Sequence, residues 1–266
     1  MFLHNFNLIF LYKLNLRRDE KEMSQSLNIQ EIAIAIAAKQ HNPTILTPDF
    51  LKYSGIVPSD WELAQEPILT NSAAQVVFQK GISITAQLNR VIFSEVIATK
   101  AYQEVEIPAI ARKYLETLPQ VDYHDLSINF RGHVLFDQEN NTARNYILKT
   151  LLNPGPWHEF GKSAVQAAMR FGYTLEGRQL SLDINEGGLQ LPDKTVRPIV
   201  LFTASFNHQI IEQEQNQRLA ALSKIISNWQ TDLETYKELV NTKFLNFPYQ
   251  INLVPNESLV PKVTTF

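Results

Sequence analysis

From Leu126 to Phe136 this chain alternates between two faces. Leu126, Ile128, Phe130, Val134 and Phe136 fall on one side of an extended strand, and Ser127, Asn129, Arg131 and His133 fall on the other. A strand with one apolar row cannot stand alone in water. That row needs a second layer over it, while the polar row can face solvent. The same period of two recurs at Ile82, Ile84, Ala86 and Leu88 against Ser83, Thr85 and Gln87, and at Leu180, Leu182 and Ile184 against Ser181, Asp183 and Asn185. The chain must therefore build a one-sided sheet and supply its cover.

The stretch from Glu212 to Leu245 fits that cover. Its apolar residues Leu219, Leu222, Ile226, Trp229, Leu233, Tyr236 and Val240 follow a three-then-four step, which keeps one stripe of a helix on one surface. At a rise of roughly 1.5 Å per residue the helix would be about 50 Å long. Ile225 and Leu239 widen the stripe where a two-stranded coil prefers charge, so packing within the chain is favoured over dimerisation. The distal residues Tyr236, Val240 and Phe244 are expected to overhang the sheet and offer a subunit contact.

Other elements follow from local chemistry. Asn28-Ile29-Gln30-Glu31 has the form of a capping box and predicts a buried helix ending at His41-Asn42-Pro43. Thr47-Pro48-Asp49 opens a short second helix closed by Gly55. Asn89-Arg90 predicts a hairpin turn, Pro108 starts a helix that Pro119 stops, and another helix covers Thr142–Leu152. Strands are expected near 165–175, 180–184 and 196–207, with a turn at Gly187-Gly188. The class is α+β: a largely antiparallel sheet built from two similar strand-and-helix halves, covered by helices including the long C-terminal one. Residues 23–245 read as one domain, with an internal duplication of 74–152 and 164–245. Residues 246–266, with Pro248, Pro255 and Pro261, read as an extended tail.

The hairpin, helix and strand order, followed by the Leu182-Asp183-Ile184 strand feeding a C-terminal helix, resembles uncharacterised bacterial proteins of cyanobacterial character. The resemblance spans roughly residues 66–245 as a pattern and includes no diagnostic motif. It implies no functional residue.

Composition narrows the chemistry. Among 266 residues there is no cysteine, which removes thiolate catalysis, disulfides and Cys-type zinc sites. A net charge of −3 gives no general attraction for nucleic acid or an anionic membrane. The apolar start, Met1 to Leu16, is interrupted by Asn5, Asn7 and Lys13 and is too short to span a bilayer. The following Arg17-Arg18-Asp19-Glu20-Lys21-Glu22 has purine-rich codons, as a ribosome-binding site read in frame would have. We therefore expect residues 1–22 to be a doubtful leader and Met23 to be the start; the alternative is an amphipathic surface anchor. A cytoplasmic location is expected.

Few residues carry candidate chemistry. Gly155 to Ser163 resembles a phosphate loop, but it has five residues between its glycines instead of four, and Pro156 lacks an amide. An inter-element loop with Trp157 buried is the better expectation. His208 and Glu212 share the spacing of a metal pair without a third ligand. No G-x-S-x-G elbow occurs, and no metal or cofactor is expected. The polar row is more informative. Asn129, Arg131 and His133, together with Asp183, are the candidate binding residues, with Arg131 the natural bidentate anchor for a carboxylate or phosphate. These features favour a non-enzymatic binding or assembly protein with a protein partner. The alternative is a small-molecule enzyme with His124, Arg131 and His133 as catalytic candidates at one end of the sheet. Intact-mass measurement of the native protein should return a chain beginning at Met23; a mass beginning at Met1 would overturn the expected start.

Overall fold

The computed structural model describes residues 26–136, 142–191 and 193–246. The expected leader, Met23 and the prolines of the tail lie outside the described residues. In chain order the elements are β1 (Asn28–Lys39), α1 (Pro48–Tyr53), β2 (Ile68–Leu69), β3 (Ala73–Phe78), β4 (Ile82–Gln87), β5 (Arg90–Val96) and α2 (Ile107–Thr117). Then come β6 (Asp122–Leu135), α3 (Thr142–Asn145, running into a π-helical turn at Tyr146–Leu151), β7 (Ala168–Leu175), β8 (Arg178–Gln190) and β9 (Val196–His208). The last are α4 (Gln215–Ser227) and α5 (Trp229–Glu238), which continues as π-helical turns over Leu239–Leu245. Among the described residues no helix is long and apolar enough to cross a membrane.

The nine strands form one antiparallel sheet in the order β2-β3-β4-β5-β1-β6-β9-β8-β7. Two similar halves build it. β1 leads through α1 to the meander β3–β4–β5, whose last strand returns beside β1, and then to α2. β6 leads through α3 to the meander β7–β8–β9, whose last strand returns beside β6, and then to α4 and α5. The two leading strands pair with each other at the centre of the sheet.

Three expectations need correction. Asn28–Lys39 is a strand, not a helix. Ile32, Ile34, Ile36 and Ala38 face the core while Ala33, Ala35 and Ala37 face the other way, and two apolar rows read like an all-apolar helix. The C-terminal helix is not continuous, because it breaks at Asn228 (φ −99°, ψ 21°) between α4 and α5. Finally, Gly187 and Gly188 lie inside β8, not at a turn. A Cβ at Gly188 would come 2.5 Å from Val196 Cγ1, so close strand packing sets that glycine. The turn falls later, where Asp193 accepts from the backbone and hydroxyl of Thr195.

The cover packs as the stripe demands. Leu222, Ile226, Trp229, Leu233, Tyr236 and Val240 are buried against the strands' apolar rows. Phe130 stacks on Tyr236 at 5.9 Å and meets Phe206 edge-on, and Phe244 meets Phe171 and Phe202. Such aromatic pairs add about 0.5–1.5 kcal/mol each beyond burial. Tyr236 donates its hydroxyl to the Phe202 carbonyl at 2.7 Å. A Cβ at Gly132 would lie 2.9 Å from that hydroxyl oxygen, 2.8 Å from Leu27 Cδ1 and 3.0 Å from the Asn28 carbonyl.

We expect Gly132→Ala to destabilise the chain by about 1–3 kcal/mol through overpacking, and Tyr236→Phe by about 1 kcal/mol through the lost hydrogen bond. In urea unfolding the double variant should lose less than the sum, since the phenol oxygen is one of the crowded atoms. Strict additivity would show that the missing Cβ does not accommodate the hydroxyl.

Candidate functional site

Strand register brings the polar rows of both halves together. Across the face opposite the helices, Ser83 pairs with Ser94, Ser94 with Ala33, Ala33 with Asn129, Asn129 with Ser205, and Ser205 with Ser181. These six short side chains are half-buried rather than buried. The helices pack on the other side, through Tyr114 against Phe93 and through Tyr236 against Phe130. The result is a broad surface of hydroxyls and amides, extended by Thr85, Ser127, Asn207 and Gln179 in the next row.

The neighbouring row carries the charges. Arg131, its side chain 57% exposed, sits 3.4 Å from Glu31. Burial raises the Glu31 carboxyl above the ordinary range and Arg131 opposes that rise. An exposed pair of this kind contributes less than about 1 kcal/mol, so Arg131 is free to exchange its partner. Asp183 is held differently. Arg170 grips it bidentately, Nε to Oδ1 at 2.6 Å and the second nitrogen to Oδ2 at 2.9 Å. Asn129 donates to the Ala33 carbonyl and to the Ser127 hydroxyl, so its amide is partly committed to the sheet.

His133 shares the face of Arg131 but is only 7% exposed, and its Nδ1 has no hydrogen-bond partner among the described residues. His124 is the unmatched residue where the β1–β6 register shifts between Ala37 and Ala38. It stands nine residues before His133 on the same strand, about 30 Å away at roughly 3.3 Å per residue. The three catalytic candidates therefore do not converge.

Other candidates land elsewhere. Tyr236, Val240 and Phe244 are buried inside the chain, which leaves them no surface to offer a partner. Trp157, expected to be buried, is 42% exposed and its ring lies tilted against that of His158, centroids 3.7 Å apart, while Phe160 is 89% exposed. His208 bonds Asp232 at 2.7 Å rather than joining Glu212. Among the described residues no three His, Asp or Glu side chains gather as a metal site would require.

Asp232 belongs to a group that periodicity does not reveal. Its second oxygen lies 3.0 Å from Arg178 Nε, off the line of the N–H, so the contact is ionic rather than a hydrogen bond. This buried carboxylate ties α5 to β8 and β9. Glu95 does the same for α2, accepting from the backbone N–H groups of Glu106 and Ile107 while pairing with Lys100 at 2.6 Å. His41, between the Gln87 carbonyl and the Tyr114 hydroxyl, joins β4 to α2. These groups hold elements together. A groove of about 550 Å³ beside α2, lined by Ile56, Trp61, Val105, Ile110, Arg112 and Glu116, includes none of the candidates.

Neither a protein-family model nor a curated protein matches this chain.

Burial pushes the imidazoles of His41 and His133 below the usual histidine range. The unfolded chain then binds protons that the folded chain refuses, so stability falls as pH drops through about 6.5. The urea midpoint should decline from about pH 7.5 to about 5.5, and less steeply in His133→Gln. An unchanged slope in that variant would mean His133 protonates freely in the fold.

Proposed function

We propose that this chain is a non-enzymatic binding or assembly component whose recognition surface is the open polar face of the sheet. One observation carries the reading: six short polar or small side chains, from Ser83 across to Ser181, align over six strands on a face that the helices leave bare. A surface of hydroxyls and amides matches a partner that supplies hydrogen bonds over a wide area rather than a small molecule needing enclosure. The partner is a protein. Arg131 and Arg170 are both engaged by carboxylates on the same face, which weakens the pull that their row offers a phosphate backbone. Arg131, in its weak exposed pair, is the group best able to turn to a partner carboxylate.

The same reading includes a cytoplasmic, bacterial protein whose halves arose by duplication, which the matched strand order of the two halves supports. The enzyme alternative loses support because His124 stands about 30 Å from His133 at strand spacing. Affinity capture with wild-type chain, Ser205→Lys, Ser181→Lys and Lys224→Glu tests the surface. The same protein should be recovered with wild type and with Lys224→Glu, on the exposed side of α4, and lost with both serine variants. Recovery of the chain alone with a bound metabolite, or a partner indifferent to the serine changes, would overturn the reading.

A further inference from the structure

The two outer edges of the sheet are treated unequally. The outer side of β3 is covered, since β2 pairs with it at Ile68↔Gln75 and Leu69↔Ala74, and Leu63 bridges to Phe78. β7 holds the equivalent place in the other half. It pairs with β8 from Ala168↔Asn185 to Leu175↔Arg178 and has no strand on its outer side among the described residues. An edge of eight residues turns alternate N–H and C=O groups outward, where they can template another strand.

The usual protections of such an edge are missing. β7 contains no proline or lysine, and its register with β8 runs without a bulge. Its one charge, Arg170, is drawn back onto Asp183. Met169, Phe171, Tyr173 and Leu175 lie along the helix side in a half-buried row. Gly172 stands at the middle of the strand with no positive φ, and a Cβ there would meet nothing within 4 Å. Nothing in the chain's own packing calls for glycine at that position.

The strand also reads alike from either end. Met169-Arg170-Phe171-Gly172-Tyr173-Thr174-Leu175 runs apolar, polar, apolar, glycine, apolar, polar, apolar. We propose that β7 pairs antiparallel with β7 of a second copy, about a two-fold axis through Gly172. In that register Gly172 faces the partner's Gly172, Phe171 faces the partner's Tyr173 and Met169 faces the partner's Leu175. Both apolar rows then join on the helix side, and Arg170 faces the partner's Thr174 on the open side. No like charges oppose one another across these positions. A second copy fits better than an unrelated strand because the pattern is its own complement. The axis stands perpendicular to the sheet, so the two open faces come to lie on the same side.

Sedimentation of the full-length chain over a wide concentration range tests this. Wild type should dimerise, and Gly172→Glu and Gly172→Lys should each weaken the dimer by at least about tenfold, because like charges then meet across the axis. Mixing the two variants should restore a heterodimer of intermediate mass in native mass spectrometry. Thr174→Lys, which opposes the partner's Arg170, should weaken the dimer as well and serves if either glycine variant fails to fold. Ser205→Lys, on the open face away from the edge, should leave the dimer intact, which separates this contact from the recognition surface. A wild-type chain that stays monomeric, or a dimer that persists in the charged Gly172 and Thr174 variants, would overturn the proposal.

Discussion

The hydroxyl of Tyr236 reaches the Phe202 carbonyl at a point on the sheet where Gly132 carries no side chain. A Cβ at that position would crowd the hydroxyl at 2.9 Å and the Asn28 carbonyl at 3.0 Å, so the ring or the strand would have to shift. Much else follows from that seating. Asp232, one turn earlier, is brought between Arg178 and His208, a position in which a carboxylate is tolerated because it is ionically paired. Val240 and Phe244, further along, close over the strands of the second half. α4 then extends back against α2 and β6, and Arg218 meets Asp122 at 3.0 Å. The helices of both halves thus lie over one face, and among the described residues no helix covers the other.

Much of this was legible because strands and helices write their faces into the sequence at different periods. The alternations at 82–88, 126–136 and 180–184 mark real strands, and the 212–245 stripe marks a real cover. Where the reading failed, tertiary context overrode local signal. In β1 the outward row is alanine, which neither looks polar nor resists a helix, so period two was masked by an all-apolar composition. Asn228 interrupts the helix without any proline or glycine to announce it. Gly187 and Gly188 have the composition of a turn, yet they serve the close approach of β9, which only the register exposes.

The candidate surface was legible as a row but not as a surface. Alternation places Asn129 and Arg131 on the open face, but it does not show that Glu31, a hundred positions earlier, stands beside Arg131. Nor does it show that Asp183 is already held by Arg170 across a hairpin. Both facts depend on which strands are neighbours, and a single chain read in order contains no such information. Ser205 and Thr203, which pair with Asn129 and Arg131 across the ladder, were missed as site residues for the same reason. They became part of the surface only when β9 was found between β6 and β8.

The symmetry of the two halves bears directly on function. Because β1 and β6 pair antiparallel at the centre, each half presents its meander to its own side and its helices to the same face. Within the sheet layer no cleft separates the halves, since β1 and β6 are hydrogen-bonded neighbours along their length apart from two register shifts. What the arrangement leaves is area: a wide face and long edges, whose value grows with the number of strands in register rather than with the depth of any cleft. An edge such as β7 extends that area by the same backbone chemistry that joins β1 to β6. Self-pairing there would repeat between molecules the relation already present within one.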